Sequence, residues 1–357
     1  MAKKKTNWSR YSQLIVPLLS IVLIALFNLF RDPSFFSIEV TTNNSGSTVL
    51  TGNLISILNG ASELAILAMG MTLVTAASGG QDISVGALAA IAGSVFVKVL
   101  RSADPIGIGT IAIGFIACCV VAILFGAFNG TLVAVFKIQP MIATLVLFTC
   151  GRSVAYWING GATPTVSSPL ITALGGFIPG IPVPTPILIV ILCAILFGLA
   201  FKFTNLGLYT QTVGINQRAA RLNGINTVGI KLLSFMILGV CCAIAGCISV
   251  SRLSLINHET LLLDVEMDAI LSVAIGGNSL GGGKFRIIGS VLGAYIIQML
   301  TTTLYAMKVP STDVKAYKAI VIILLVVMGS PVVKKKAGEL VSRIRGSKTG
   351  GTGKEMA

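Results

Sequence analysis

GIGTIAIGFIACCVVAILFGAFNGTLVAVF, residues 107–136, is a run of 30 residues without a charged side chain. A helix crosses the roughly 30 Å hydrocarbon core of a bilayer with about 20 apolar residues. This run is longer than a span needs, so it must tilt or break at its glycines. Its apolar residues are continuous rather than alternating, which argues against a lipid-facing strand. The whole chain agrees. Of 357 residues, 54% are hydrophobic and 11% charged, with a mean hydropathy of +0.92; a soluble domain carries about 25% charged residues. The chain reads as an all-α integral membrane protein, long enough for many spans but not for a bundle plus a large soluble domain.

Working outward from 107–136, apolar runs predict spans at about 14–30, 54–77, 84–100, 141–158, 186–203, 231–250, 267–280, 287–307 and 317–333, about ten in all. The first run follows Lys3, Lys4, Lys5 and Arg10 as a signal peptide would. It is too long for a typical apolar signal core, and no small-residue cleavage site precedes Arg31-Asp32-Pro33, so it reads as a retained span. Residues 31–52 read as a polar loop. The Gly/Pro-rich stretch 159–185 is too long for a free loop; it predicts a short helix near Pro169–Leu174, capped by Ser167 or Ser168. The domain layout is a basic N-terminus at 1–13, a transmembrane domain at 14–333 with a polar loop at 204–230, and a basic tail at 334–357.

The net charge of +14 does not point to nucleic acid, because the basic residues gather at the chain ends and in short loops. With ten spans, one side of the membrane holds 18 of the 26 Lys and Arg, the other holds 7, and Arg152 lies within a span. The richer side is cytoplasmic. Both termini, the Lys137 turn, the 204–230 loop and Gly281–Arg286 are expected there; the 31–52, 159–185, 251–266 and 308–316 loops face outward.

No catalytic, cofactor or metal constellation is evident. The single histidine, His258, reads as a solvated loop residue. Gly276–Lys284, GGNSLGGGK, fails as a phosphate loop: position 278 is Asn where the motif needs Gly, and Phe285 stands where it needs Ser or Thr. Cysteines 118, 119, 150, 193, 241, 242 and 247 all lie in apolar runs without metal spacing and read as packing residues. Gly126 with Gly130, and Gly289 with Gly293, are small-residue pairs one helical turn apart, suited to close helix packing.

VGINQRAARLNGI, Val213–Ile225, stands apart: polar, rich in small residues, bounded by glycine and set between apolar runs. Asn216–Leu222 predicts two helical turns with Asn216 as cap and Gly224 as stop. Ala219 and Ala220 leave a low ridge, and Arg218 and Arg221 fall three apart on one face. Such a helix either enters a groove on a partner or rests on lipid headgroups.

Gly214, Asn216, Ala219, Ala220 and Gly224-Ile225 resemble the coupling motif of permeases from bacterial ABC importers for monosaccharides, the branch that includes ribose, xylose and galactofuranose permeases. The family's Glu-Ala-Ala core appears here as Gln217-Arg218-Ala219-Ala220. Gly79-Gly80-Gln81-Asp82-Ile83-Ser84-Val85-Gly86 resembles its Gly-Ile-Asp-Leu-Ser-Val-Gly turn. Asp268-Ala269-Ile270 and Gly276–Gly283 resemble its Leu-Asp-Ala-Ile and Gly-Gly-Thr-Ser-Leu stretches. Lys137–Pro140 and Ala143-Thr144-Leu145 are most similar to the galactofuranose type. The resemblance covers roughly 54–330.

It implies a type II ABC importer fold of about ten helices in the bacterial cytoplasmic membrane, paired with a second copy or a sister permease. It also implies cytoplasmic ATPase subunits docked on Gly214, Asn216, Gln217, Arg218, Ala219, Ala220, Arg221 and Gly224, and an outer sugar-binding protein. The cargo would be a pentose, fructose or galactofuranose moved by alternating access. With no Glu at 217, docking is expected to rest on shape and two arginines.

Five polar or aromatic residues are candidates for the substrate pathway. Arg152 either bonds sugar hydroxyls or binds carbonyls near the outer interface. Tyr156 and Trp157 either stack on a sugar or anchor the interface. Glu63 is either protonated or paired, and Asp82 either serves a helix N-terminus or contacts substrate. The alternative to an ATP-driven subunit is a stand-alone ion-coupled transporter, which needs a midplane carboxylate or broken-helix ion site; Glu63 is the candidate.

Overall fold

The computed structural model describes residues 14–42 and 48–329. The basic stretches 1–13 and 334–357, and the expected end of the last span at 330–333, lie outside them. In chain order come α1 (Ile15–Arg31), a hairpin of β1 (Glu39–Thr42) and β2 (Thr48–Thr51), α2 (Asn53–Gly60), α3 (Ser62–Ser78), α4 (Val85–Leu100), α5 (Ile108–Ala134) and α6 (Pro140–Ile158). Then follow α7 (Pro169–Gly175), α8 (Thr185–Phe203), α9 (Leu206–Ile215), α10 (Gln217–Leu222), α11 (Thr227–Leu253), α12 (Val265–Ile275), α13 (Ile287–Ala306) and α14 (Ser311–Gly329).

Among the described residues, six runs are long and apolar enough to cross a membrane: Asn53–Ser78, α5, α6, α8, α11 and α13. Pro17–Arg31 and Val85–Leu100 are apolar but shorter. The run Asn53–Ser78 is broken at Ala61, where the Ser62 hydroxyl donates to the Leu58 carbonyl at 3.1 Å and competes with the helix ladder.

Two expectations are corrected. The eighth expected span, 267–280, is helical only over Val265–Ile275. Eleven residues rise about 16 Å, half the hydrocarbon core, because the chain turns at Gly277 (φ +80°). Asn278 holds that turn, donating to the Arg286 carbonyl at 3.0 Å and accepting from Arg286 N at 2.7 Å. The 31–52 loop carries the antiparallel hairpin, with Val40 opposite Leu50 and Thr41 opposite Val49. Its β-branched residues suit a pleated edge, a pattern too short to register among the apolar runs.

The core lies along α3 and α11. In the run Asn53–Ser78, which holds α3, and in α11, 72% of the most apolar stretch is buried, against 22% in α5 and α8. Lipid tails are as apolar as leucine, so hydrophobicity does not select the central helices; small residues that allow close approach do. Gly126 of α5 packs on the Phe235 carbonyl of α11, and Gly130 packs on Leu232. Gly289 and Gly293 of α13 face Gly276 and the Ser272 carbonyl. Polar contacts add specificity: Thr72 of α3 meets Ser290 of α13 at 2.6 Å, and Ser290 also accepts from Asn278 at 2.7 Å.

Candidate functional site

The polar turn folds as its sequence dictates. Asn216 has an extended backbone (φ −154°, ψ 100°), which ends α9, and its Oδ1 accepts from the backbone N–H groups of Arg218 and Ala219, both at 3.0 Å. Gly224 stops α10 with φ +76°, and Ile225 N donates back to the Ala220 carbonyl at 3.0 Å. Ala220 is fully buried and Ala219 half-buried. Arg218 and Arg221 are both exposed, and Arg221 Nε donates to Thr227 Oγ1 at 2.9 Å. Gln217 turns the same way: its Nε2 lies 3.4 Å from Thr227 Oγ1 and its Oε1 accepts from Lys231 at 3.3 Å. Beside Arg218, Ile215 (62% exposed) and Leu222 (90%) stand clear of the fold.

This turn does not sit alone. Gly283 N donates to the Ala76 carbonyl at 3.0 Å, joining the 276–283 glycine turn to the end of α3. Gln81 Nε2 donates to the Leu280 carbonyl at 2.8 Å. Gly214 packs where those two segments meet: a Cβ there would overlap the Ala76 carbonyl oxygen and crowd Gly283 N. The three glycine-bearing motifs, 79–86, 276–283 and 213–225, thus converge at one end of the bundle.

The buried polar residues form separate groups rather than one cluster. Glu63, at the start of α3, pairs with Arg252 at the end of α11 at 3.3 Å. Arg252 also donates to the Asn59 carbonyl at 2.9 Å and to Asn59 Oδ1 at 3.1 Å. Asp82 Oδ1 accepts from Ser84 N at 2.7 Å and Ser84 Oγ at 2.6 Å, just ahead of α4; Asn129 Nδ2 approaches the other oxygen at 3.4 Å. Arg152 Nη1 donates to the carbonyls of His258 (2.9 Å), Glu259 (3.0 Å) and Leu261 (3.2 Å), bracing the 254–264 segment.

His258 is not the solvated loop residue expected. It is buried, with its ring edge-on to Tyr156 at 4.9 Å, because Arg152 draws its loop inward. Tyr156 is 50% and Trp157 78% exposed at the end of α6.

Sequence reasoning missed three features. Arg252 is the partner of Glu63; its signal was a basic residue closing an apolar run. Glu266, in the first turn of α12, is buried with Oε2 unpartnered among the described residues. It faces the same point at Gly86 that Arg152 reaches; its signal was a carboxylate inside Val265-Glu266-Met267. Lys315 and Lys318 of α14 pair with Asp264 (2.6 Å) and Asp268 (2.7 Å), strapping α14 to α12. The described residues hold no cluster of His, Cys, Asp and Glu able to bind a metal.

A bundle of apolar helices around a core of small residues, with a capped polar turn lodged against it, defines an integral, multi-pass transport subunit. The chain belongs to the family described as "Branched-chain amino acid transport system / permease component", whose model matches residues 53–329. It is 38% identical to the galactofuranose transporter permease protein YtfT of Escherichia coli (strain K12), over 92% of each chain. It is 34% identical to the fructose import permease protein FruF of Bifidobacterium longum (strain NCC 2705), over 87% of this chain and 85% of that one. It is 35% identical to the ribose import permease protein RbsC of E. coli (strain K12), over 90% and 94%. These relatives are permeases rather than enzymes, and within the family this chain is an ABC monosaccharide permease. No solved structure matches it.

Proposed function

We propose that the chain is the membrane subunit of an ATP-driven importer that carries a monosaccharide of the pentose, fructose or galactofuranose class into the cytoplasm by alternating access. In this reading the bundle has the type II importer fold of about ten helices in the bacterial cytoplasmic membrane, with α12 as a half-length member. Both termini are cytoplasmic. Two permeases, identical or sister chains, form the pathway; a sugar-binding protein docks outside and separate ATPase subunits dock on α10. One observation carries the reading: α10 presents Arg218 and Leu222 outward, while Gly214, one turn away, sits in contact with Ala76 and Gly283. A push on α10 therefore reaches α3 and the α12–α13 turn through Gly214 of α9.

Of the five pathway candidates, Trp157 presents an open ring to a sugar and Tyr156 the half of its ring that His258 leaves uncovered. Glu63, Asp82 and Arg152 are spent on internal partners and act by positioning the helices around the path. The pairing of Glu63 with Arg252 argues against its serving as the ion site of a stand-alone transporter. The test is uptake into proteoliposomes holding the chain, its ATPase and its binding protein, with labelled ribose, fructose and galactofuranose offered in turn. Uptake of one sugar that requires ATP on the ATPase side is expected. Uptake that survives without ATP and collapses with an ionophore would overturn the proposal in favour of ion coupling.

A further inference from the structure

A groove of about 640 Å³ opens on the side of the bundle between α8, α9 and the start of α13. Ala194, Phe197 and Phe201 line one wall and Leu208 a second; Phe285 and Ile288 line the third. Its size falls in the range of about 300–1,000 Å³ typical of small-molecule sites. Leu208 and Ile288 are 64% and 68% exposed. The walls are almost wholly apolar, and one charged side chain lines the groove, Arg286.

The backbone of Arg286 is held by Asn278, but its guanidinium has no hydrogen-bond or ion-pair partner among the described residues. Lys202 and Lys284 flank the aromatic lining residues Phe201 and Phe285, whose rings meet edge-on at 5.7 Å, and both lysines are exposed. No acidic residue occurs anywhere in 185–230 or 276–306, the segments that build these three walls; Leu14, just ahead of α1, completes the lining. Arg286 thus has no carboxylate on the segments around it to neutralise it, while Lys202 Nζ lies over the Phe203 ring at 5.6 Å. An apolar trough ending in an unpaired guanidinium is complementary to an amphiphile with an anionic head.

We propose that this groove is a binding site for an anionic phospholipid, with an acyl chain along Phe197, Gly198 and Ile288 and the headgroup phosphate on Arg286. Two substitutions address its two ends separately. Arg286→Gln removes the headgroup partner and leaves the trough. Gly198→Phe fills the trough, since nothing lies within 4 Å of a Cβ there, and leaves the charge.

The measurement is native mass spectrometry of the purified full-length chain, titrated with phosphatidylglycerol or with phosphatidylcholine of the same acyl composition. Wild type is expected to retain phosphatidylglycerol preferentially, and excess inorganic phosphate should not displace it. Arg286→Gln should lower that retention about fivefold, as expected for one basic residue near a charged membrane surface, and should lower retention of phosphatidylcholine, whose choline cation offsets its phosphate, by less. Gly198→Phe should lower retention of both lipids. Equal retention of the two lipids by wild type would overturn the proposal. So would unchanged retention in both variants, the result expected if residues 1–13 or a second copy of the chain fill the groove.

Discussion

Three glycines of the chain make the same substitution mean three different things, and the structure gives each a sign. At Gly214 a methyl group would overlap the Ala76 carbonyl oxygen and crowd Gly283 N, two atoms already joined by a 3.0 Å hydrogen bond. Neither is the tip of a flexible side chain, so α9 must move off α3. Overpacking a tight contact costs about 1–3 kcal/mol, and straining or losing a buried backbone hydrogen bond adds about 1 kcal/mol or more. Gly214→Ala should therefore cost about 2–4 kcal/mol. Gly224 has φ +76° with open space around it, so Gly224→Ala carries only the left-handed backbone penalty, about 1–2 kcal/mol. Gly198 lies inside α8 with nothing within 4 Å, so Gly198→Ala should stabilise by about 0.5–1 kcal/mol. Melting temperatures of the three variants, taken in one detergent, should fall most for Gly214, less for Gly224 and rise for Gly198. On the proposed coupling role, Gly214→Ala should also lose more stimulation of the partner ATPase than Gly224→Ala. If Gly214→Ala melts with the wild type, or loses less than Gly224→Ala, the three-way contact is not what holds the turn.

Other perturbations follow from the polar contacts. Arg252→Met leaves Glu63, only 6% exposed, without its cation, and should cost about 3–5 kcal/mol; Glu63→Gln should cost less, because Arg252 keeps both Asn59 contacts, and melting curves of the pair would show the asymmetry. Gln217→Glu should form an ion pair with Lys231 worth at most about 0.5–1 kcal/mol and leave ATPase binding unchanged, whereas Arg218→Glu should weaken it; co-purification of the two subunits reads both, and lost binding in Gln217→Glu would mean that this side chain reaches the partner. Arg152→Lys keeps the charge but loses the fork that gathers three carbonyls, so amide exchange over 256–263 should quicken about tenfold, the loss of about 1.4 kcal/mol of local stability.

The helices were legible because in a membrane the length and apolarity of a run are the same signal that places it, and α5, α6, α8 and α13 lie close to their apolar runs. The caps at Asn216 and Gly224 were legible because each is a local backbone matter. Whatever depended on a distant partner was not. Nothing near Glu63 in the chain announces Arg252, and the apolarity of the run 267–280 outweighed Gly276-Gly277-Asn278, the stop signal that ends α12 at Ile275. That stop is set by Asn278 bonding forward to Arg286, a polar contact invisible to hydropathy. The glycine clusters show the same division. Sequence marks where side chains are absent but not which atoms need the room; only the fold shows that Gly214 yields space to Ala76 and Gly283. Gln217 carries the point furthest. Read as a lost carboxylate, it shifted the expected docking onto shape and two arginines. In place, its amide braces Thr227 and Lys231, so the position turns inward to hold α10 on α11, and the surface left open is Arg218, Arg221, Leu222 and the shape of the turn itself.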